Sequence, residues 1–288
     1  MLSFNEYEEK KVQLQEGLKA EDYEAAIVIG WHKNNRKKIK SPEEVGINPG
    51  VYKTLLKSPE ALKAGELIAK AIAKRFGNKN AKAEQYGRAK SSLTAFWKSH
   101  GATDTTPKTD ILIGKQRLSL KIGLAQLMSG GQAESLATFY AALKTTPKLK
   151  SDPQFKKVNK IFESFVKSTL APGQLRPIIK KGTNPVVNAA EKAHKDCMKE
   201  LGMLFEKSPD FQIAFAREAM SGYEKYGKDS NSAAEFMVVA SADGKKVSIH
   251  SVDDDAYCQK IASKMRLQAR FKTSGQTAKA KVTKANPK

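Results

Sequence analysis

Cysteine is scarce in this chain. Only Cys197 and Cys258 occur in 288 residues, and neither has a partner at metal-ligand spacing. A disulfide framework and a zinc module are therefore excluded as organising devices, and a reducing compartment is the simpler setting. Long apolar runs are missing too: no stretch approaches the roughly 20 residues of a membrane span. The opening MLSFNEYEEKK is acidic and polar, unlike a secretory signal. Histidine is rare, and His32 and His194 each stand alone. No internal repeat and no nucleotide-binding glycine motif is present.

Acid is the other shortage. There are 30 Asp+Glu against 51 Lys+Arg, a formal net charge of +21. An excess of this size suits a polyanionic partner, most often nucleic acid; a protein that is basic for no specific reason is the plain alternative. Lys greatly outnumbers Arg, which fits phosphate contact better than bidentate base reading. Hydrophobic residues, at 40%, are enough for a real core.

The most informative stretch is 105–134, TTPKTDILIGKQRLSLKIGLAQLMSGGQAE. Two alternating runs meet at Gly114-Lys115, a hairpin signal because Gly at the first turn position suits a type II′ turn. With that turn, Ile113 faces Gln116, Leu112 faces Arg117, Ile111 faces Leu118 and Asp110 faces Ser119. Cross-strand partners share a face. Ile111, Ile113, Leu118 and Leu120 then form a buried face, and the other collects Asp110, Arg117, Ser119 and Lys121. An Asp carboxylate can hold a hard divalent cation through oxygen. A nearby ammonium can orient water or stabilise charge developing on a phosphate. The plain alternative is a solvated strand face with a salt bridge.

Along the chain, residues 3–19 read as a charged helix. Ala25–Trp31 (AAIVIGW), a nearly continuous apolar run, reads as a buried strand. His32–Lys40 (HKNNRKKIK) follows with five basic residues and no acid. Lys33, Arg36, Lys37 and Lys38 are its candidate phosphate contacts, joined by Lys108, Lys115 and Arg117 of the hairpin region. A solvated basic loop is equally in keeping with it. Pro and Gly make 41–57 a connector. Ser58-Pro59-Glu60 opens a helix that stops near Gly77, and a second helix is expected over Ala81–Ser99. After the hairpin, Ser129 and Gln132 fit a capping box before a helix over Ala133–Leu143. Helices are also expected over Phe155–Leu170, Asn188–Phe205 and Pro209–Met220, with an extended connector at Ala171–Pro185. Glu235–Ser241 and Lys246–Val252 form a second hairpin signal. Asp253–Asp255 suit a cap for a helix over Ala256–Ser263, with a cation held by the three clustered acids as the alternative; Met265–Lys272 alternates like a strand, and a mobile basic tail is expected from Thr273.

Pro107-Lys108-Thr109-Asp110 and Ser119-Leu120-Lys121 together resemble the PD-(D/E)xK nuclease superfamily, with Ser119 at the place of the second acid. The resemblance implies a restriction-endonuclease-like core, a Mg2+ cofactor and DNA as partner. Asp110 would be a metal ligand, with Ser119, Lys121 and Gln126 as further catalytic candidates. It also implies an acid on a helix, for which Glu66, Glu84 and Glu134 are candidates; the ordinary reading of each is a solvated helix former. SLKIGLAQLMSGGQAES, and more weakly AREAMSG (Ala216–Gly222) and RFKTSG (Arg270–Gly275), are similar to a group of uncharacterised proteins of large tailed phages, some regarded as virion components. That implies other virion proteins as partners, a place in the virion or host cytoplasm, and no membrane.

The expected architecture is α+β (or α/β): helices around a mixed sheet built from the central hairpin, an N-terminal strand and the late strands. The expected organisation is an N-terminal segment over 1–57, one nuclease-like core over 58–272 and a basic tail over 273–288. Two functions follow from different classes. One is a DNA-binding, Mg2+-dependent endonuclease; the other is a virion structural protein with a degenerate nuclease fold facing packaged DNA.

Overall fold

The computed structural model describes residues 18–77, 80–87, 91–123, 127, 132–167, 196, 199–265, 269–271 and 280–282. Residues 3–17 of the helix expected over 3–19, the connector at 171–185, Gln126 and the Ser129 cap lie outside these residues. So does most of the expected helix over 188–205, of which 199–205 is helical and continues to 207. The fold is α+β. Its chain divides into two compact units. Unit 1 comprises 1–90, 107–125 and 234–251; unit 2 comprises 91–106, 126–233 and 252–288.

Unit 1 is built on a five-stranded mixed sheet with strands in chain order: β1 (Ala83–Gln85), β2 (Ile111–Ile113), β3 (Gln116–Ile122), β4 (Phe236–Ala240) and β5 (Val247–Ser251). The β3–β4 pair is parallel and the other pairs are antiparallel. The central hairpin has the register that its sequence predicts, Ile111 opposite Leu118, Leu112 opposite Arg117 and Ile113 opposite Gln116. Gly114 takes a positive φ of 60° at the first turn position, as a type II′ turn demands of a residue without Cβ. Ile111, Ile113, Leu118 and Leu120 are buried together in the core. The second hairpin, β4–β5, is also where the sequence puts it.

Two helices cover that apolar side, α1 (Ala20–Asn34) and α3 (Pro59–Phe76); a short helix, α2 (Pro49–Leu55), and a 3-10 turn (Pro42–Val45) precede α3. The AAIVIGW run is therefore helical, not a strand. Ala25, Ala26, Ile27, Val28, Gly30 and Trp31 are all buried, so the helix presents apolar residues on nearly every side and its 3.6-residue period vanishes from the sequence. Its ends carry the usual charge bias, Glu21 and Asp22 at the start and His32 and Lys33 at the close. Close contact with α3 depends on Gly65: a Cβ there would lie 2.4 Å from the carbonyl carbon and oxygen of Ala26. The connector over 41–57 is largely helical, because Asn48 caps α2 by accepting from the Gly50 N–H. The helix expected over Ala81–Ser99 is replaced by edge strand β1 and a short helix, α4 (Ala95–Ser99). Trp31 Nε1 donates to the Ala81 carbonyl, and Lys82 O accepts from Gly114 N; these contacts hold 81–85 extended against α1 and β2.

Unit 2 is helical: α5 (Gln132–Leu143), α6 (Pro153–Lys167), α7 (Pro209–Ser221), α8 (Tyr223–Tyr226) and α9 (Asp255–Lys264), with α4 and a 3-10 turn at Pro147–Ser151. Phe139 stacks on Phe155, and Phe211 meets both rings edge-on. Asp254 caps α9 through Tyr257 N, as expected. The late strand β6 (Ala269–Phe271) does not join the main sheet; it pairs with β7 (Ala280–Val282), inside the stretch expected to be a mobile tail.

Candidate active site

Asp110 immediately precedes β2, and Ser119 and Lys121 alternate along β3. The hairpin register sets Asp110 beside Ser119, and the side chains meet. Ser119 Oγ donates to Asp110 Oδ2 at 3.1 Å, and the Leu120 amide donates to the same oxygen at 2.6 Å. Lys121 Nζ donates to Ser119 Oγ at 2.9 Å and stands 3.7 Å from Asp110 Oδ2. Ser119 is buried, while the Asp110 and Lys121 side chains are 22% and 14% exposed. The pair therefore keeps an opening to solvent although the serine does not. Both hydrogen bonds to Asp110 fall on Oδ2, which fixes the carboxylate's orientation.

A further acid, none of those proposed from the sequence, feels the charges of this cluster. Glu24, half-buried on α1, receives a hydrogen bond from Gln85 Nε2 at 2.9 Å. The same amide nitrogen donates to the Glu21 carbonyl at 3.1 Å, so β1 ties Gln85 to the first turns of α1. Burial pushes the Glu24 carboxyl up from 4.5 to about 8, and the nearby negative charge of Asp110 adds to the rise. The Gln85 hydrogen bond and the Lys121 ammonium oppose it. The charges of Asp110 and Lys121 thus bear on the Glu24 carboxyl in opposite directions. Sequence reasoning missed this residue because it precedes a run read as a strand. The usable signal was the acidic first turn, Glu21-Asp22, which marks a helix start.

The other candidate acids lie elsewhere. Glu66, on α3, pairs with Lys33 at 2.8 Å and Lys70 at 3.1 Å, and these cations hold its carboxyl below the usual range. Glu84 sits on strand β1 opposite Leu112, not in a helix. Glu134 belongs to unit 2 and is buried there. It accepts from Trp97 Nε1 at 2.6 Å and Asp104 N at 3.0 Å, and pairs with buried Lys225 at 3.3 Å. That network ties α4, α5 and α8 together.

The basic candidates divide as well. Arg117 is buried and pairs with Glu235 at 2.9 Å, so it is a structural cation. Lys37 is folded onto the carbonyls of Asn80 and Ala81. Lys115, in the hairpin turn, and Arg36 and Lys38 are exposed; Lys108 is half-buried. His32 is structural: buried, its Nε2 donates to the Ala83 carbonyl at 2.9 Å.

No helix among the described residues is long and apolar enough to cross a membrane. Among those residues no group of three or more His, Cys, Asp or Glu side chains comes together as a ready metal site. Comparison of the chain with family models, with curated proteins and with solved structures returns no match.

Proposed function

We propose that this is a DNA-binding protein with a nuclease-like unit that hydrolyses phosphodiester bonds with Mg2+. The observation that carries the reading is the contact of Asp110, Ser119 and Lys121 across the hairpin, with a helical acid, Glu24, that feels the charges of Asp110 and Lys121. An acid from a helix, an acid at the head of one strand and a lysine two residues past a small polar residue on the next are the parts that the PD-(D/E)xK resemblance calls for. The net charge of +21 supports a polyanionic substrate.

The donor set fits a hard cation. Glu24 and Asp110 offer carboxylate oxygens; burial first, and then the charge of Asp110, raise the Glu24 carboxyl, and a divalent charge would offset both. Mg2+ commonly takes only one or two protein carboxylates and completes its shell with water and phosphate. When bound, it would polarise a phosphoryl oxygen and sharpen a water nucleophile. The chain's own residues do the rest. Lys121, held by Ser119 and Asp110, presents an ammonium where negative charge develops on the phosphate. Ser119 fixes that ammonium in place of a second acid. Gln85 holds the Glu24 carboxylate toward the sheet.

Cleavage of duplex DNA with Mg2+ tests the reading. Asp110→Ala and Lys121→Ala should abolish cleavage while leaving salt-sensitive binding largely intact; cleavage retained in both would refute it. One observation favours a second reading, a virion structural protein: a buried serine stands where an acid ligand belongs. In that case the wild type binds DNA, is inert with Mg2+, and is stoichiometric in purified particles.

A further inference from the structure

The segment after α1 is not a loose basic loop. Lys37 N donates to His32 O at 2.9 Å and Arg36 N to Lys33 O at 3.1 Å, the paired bonds of a Schellman helix end. Arg36 occupies its left-handed position, with φ 53°. Glycine is the usual residue there because it has no Cβ. The left-handed ends at Gly46, Gly77 and Gly222 do use glycine. An arginine kept in a glycine conformation is a local cost that the cap itself does not explain.

The surroundings hold this turn rigid. Trp31 Nε1 and the Lys37 ammonium both reach the Ala81 carbonyl, Lys37 also reaches Asn80 O, and His32 Nε2 reaches Ala83 O. From Arg36 to Lys40 exposure then alternates residue by residue. Lys37 turns inward onto those carbonyls and Ile39 packs against the core. Arg36, Lys38 and Lys40 are exposed.

We propose that Arg36, Lys38 and Lys40 form a preset row of cations that grips the phosphate backbone of the DNA. The proposal rests on the nucleic-acid reading and adds to it a surface and a division of labour. Outward residues of HKNNRKKIK contact phosphates, whereas Lys37, with the same charge, only anchors the row. A row fixed before binding loses little conformational freedom on contact. It reads no base sequence, since phosphate contacts position a protein without specifying sequence.

The test is fluorescence anisotropy with labelled random-sequence duplex over a salt series, using the full chain. Arg36→Gly and Lys38→Gln should each lower the slope of log K against log salt by about one, the loss of one phosphate contact. Lys37→Met should leave the slope unchanged. Arg36→Gly should also raise the urea midpoint, because it relieves the left-handed arginine; a variant that is more stable yet binds more weakly cannot be dismissed as misfolded. Equal slope losses in all three variants, or none in any, would overturn the row while leaving the DNA reading intact. A wild type that binds anionic vesicles but no duplex would overturn both.

Discussion

Glu24→Gln gives the sharpest handle on the cluster. Burial, and then the charge of Asp110, push the Glu24 carboxyl to about 8. In the unfolded chain the same group titrates at its ordinary value of 4.5. Between these limits the folded protein retains a proton that the unfolded chain has lost. The stability tied to that proton is fully present below pH 4.5 and is lost as pH rises through about 8. At ~1.4 kcal/mol per pKa unit the displacement amounts to several kcal/mol. Because the side chain is only half-buried, solvent relaxation reduces this, and we expect ~2–3 kcal/mol. Glutamine keeps the shape and the possibility of a hydrogen bond with Gln85 but cannot ionise. Urea unfolding in chelator should therefore give Glu24→Gln near parity with wild type at about pH 5 and a gain of ~2–3 kcal/mol at about pH 8. Parallel losses in the two proteins across that range would refute the reasoning. It would mean that Asp110 and the core do not act on Glu24.

Other consequences concern packing and charge. Gly65→Ala puts a Cβ 2.4 Å from the Ala26 backbone, which cannot yield as a side chain could; we expect ~2–4 kcal/mol of destabilisation in chemical denaturation. Lys225→Met removes the buried cation facing Glu134 at 3.3 Å and Asp104 at 3.7 Å. Leaving those acids uncompensated should cost ~3–5 kcal/mol by the same assay. Ser119→Asp sets a second carboxylate directly beside Asp110. It should lower the melting temperature in chelator and recover it with Mg2+ more than the wild type does.

The hairpin was legible because two independent signals agreed. The Gly114-Lys115 turn fixed the register, and the alternation of Ile111, Ile113, Leu118 and Leu120 required the same register to bury one face. The α3 boundaries were legible for a similar reason: Pro59 opens the helix and Gly77 closes it in the left-handed conformation. Helix α1 was not. A helix wedged between a sheet and a second helix is apolar all round, so its pattern matches a buried strand, and only its end charges tell the two apart. That single misreading hid Glu24 and sent the search for a helical acid to Glu66, Glu84 and Glu134. Strand β1 was missed because three residues carry no alternation, and Ala83–Gln85 is extended by its pairing with Ile111–Ile113, a tertiary effect that outweighs local propensity. The division into two units was hidden by the way each gathers segments far apart in sequence.

The central claim is that Glu24 is the helix acid acting with Asp110 and Lys121. The most direct measurement is duplex cleavage with Mg2+ by wild type, Glu24→Gln and Glu66→Gln side by side, with DNA binding recorded for each. The account predicts cleavage by wild type and Glu66→Gln, and none by Glu24→Gln despite retained binding. Cleavage by Glu24→Gln at the wild-type rate, or a wild type that binds and never cleaves, would contradict it.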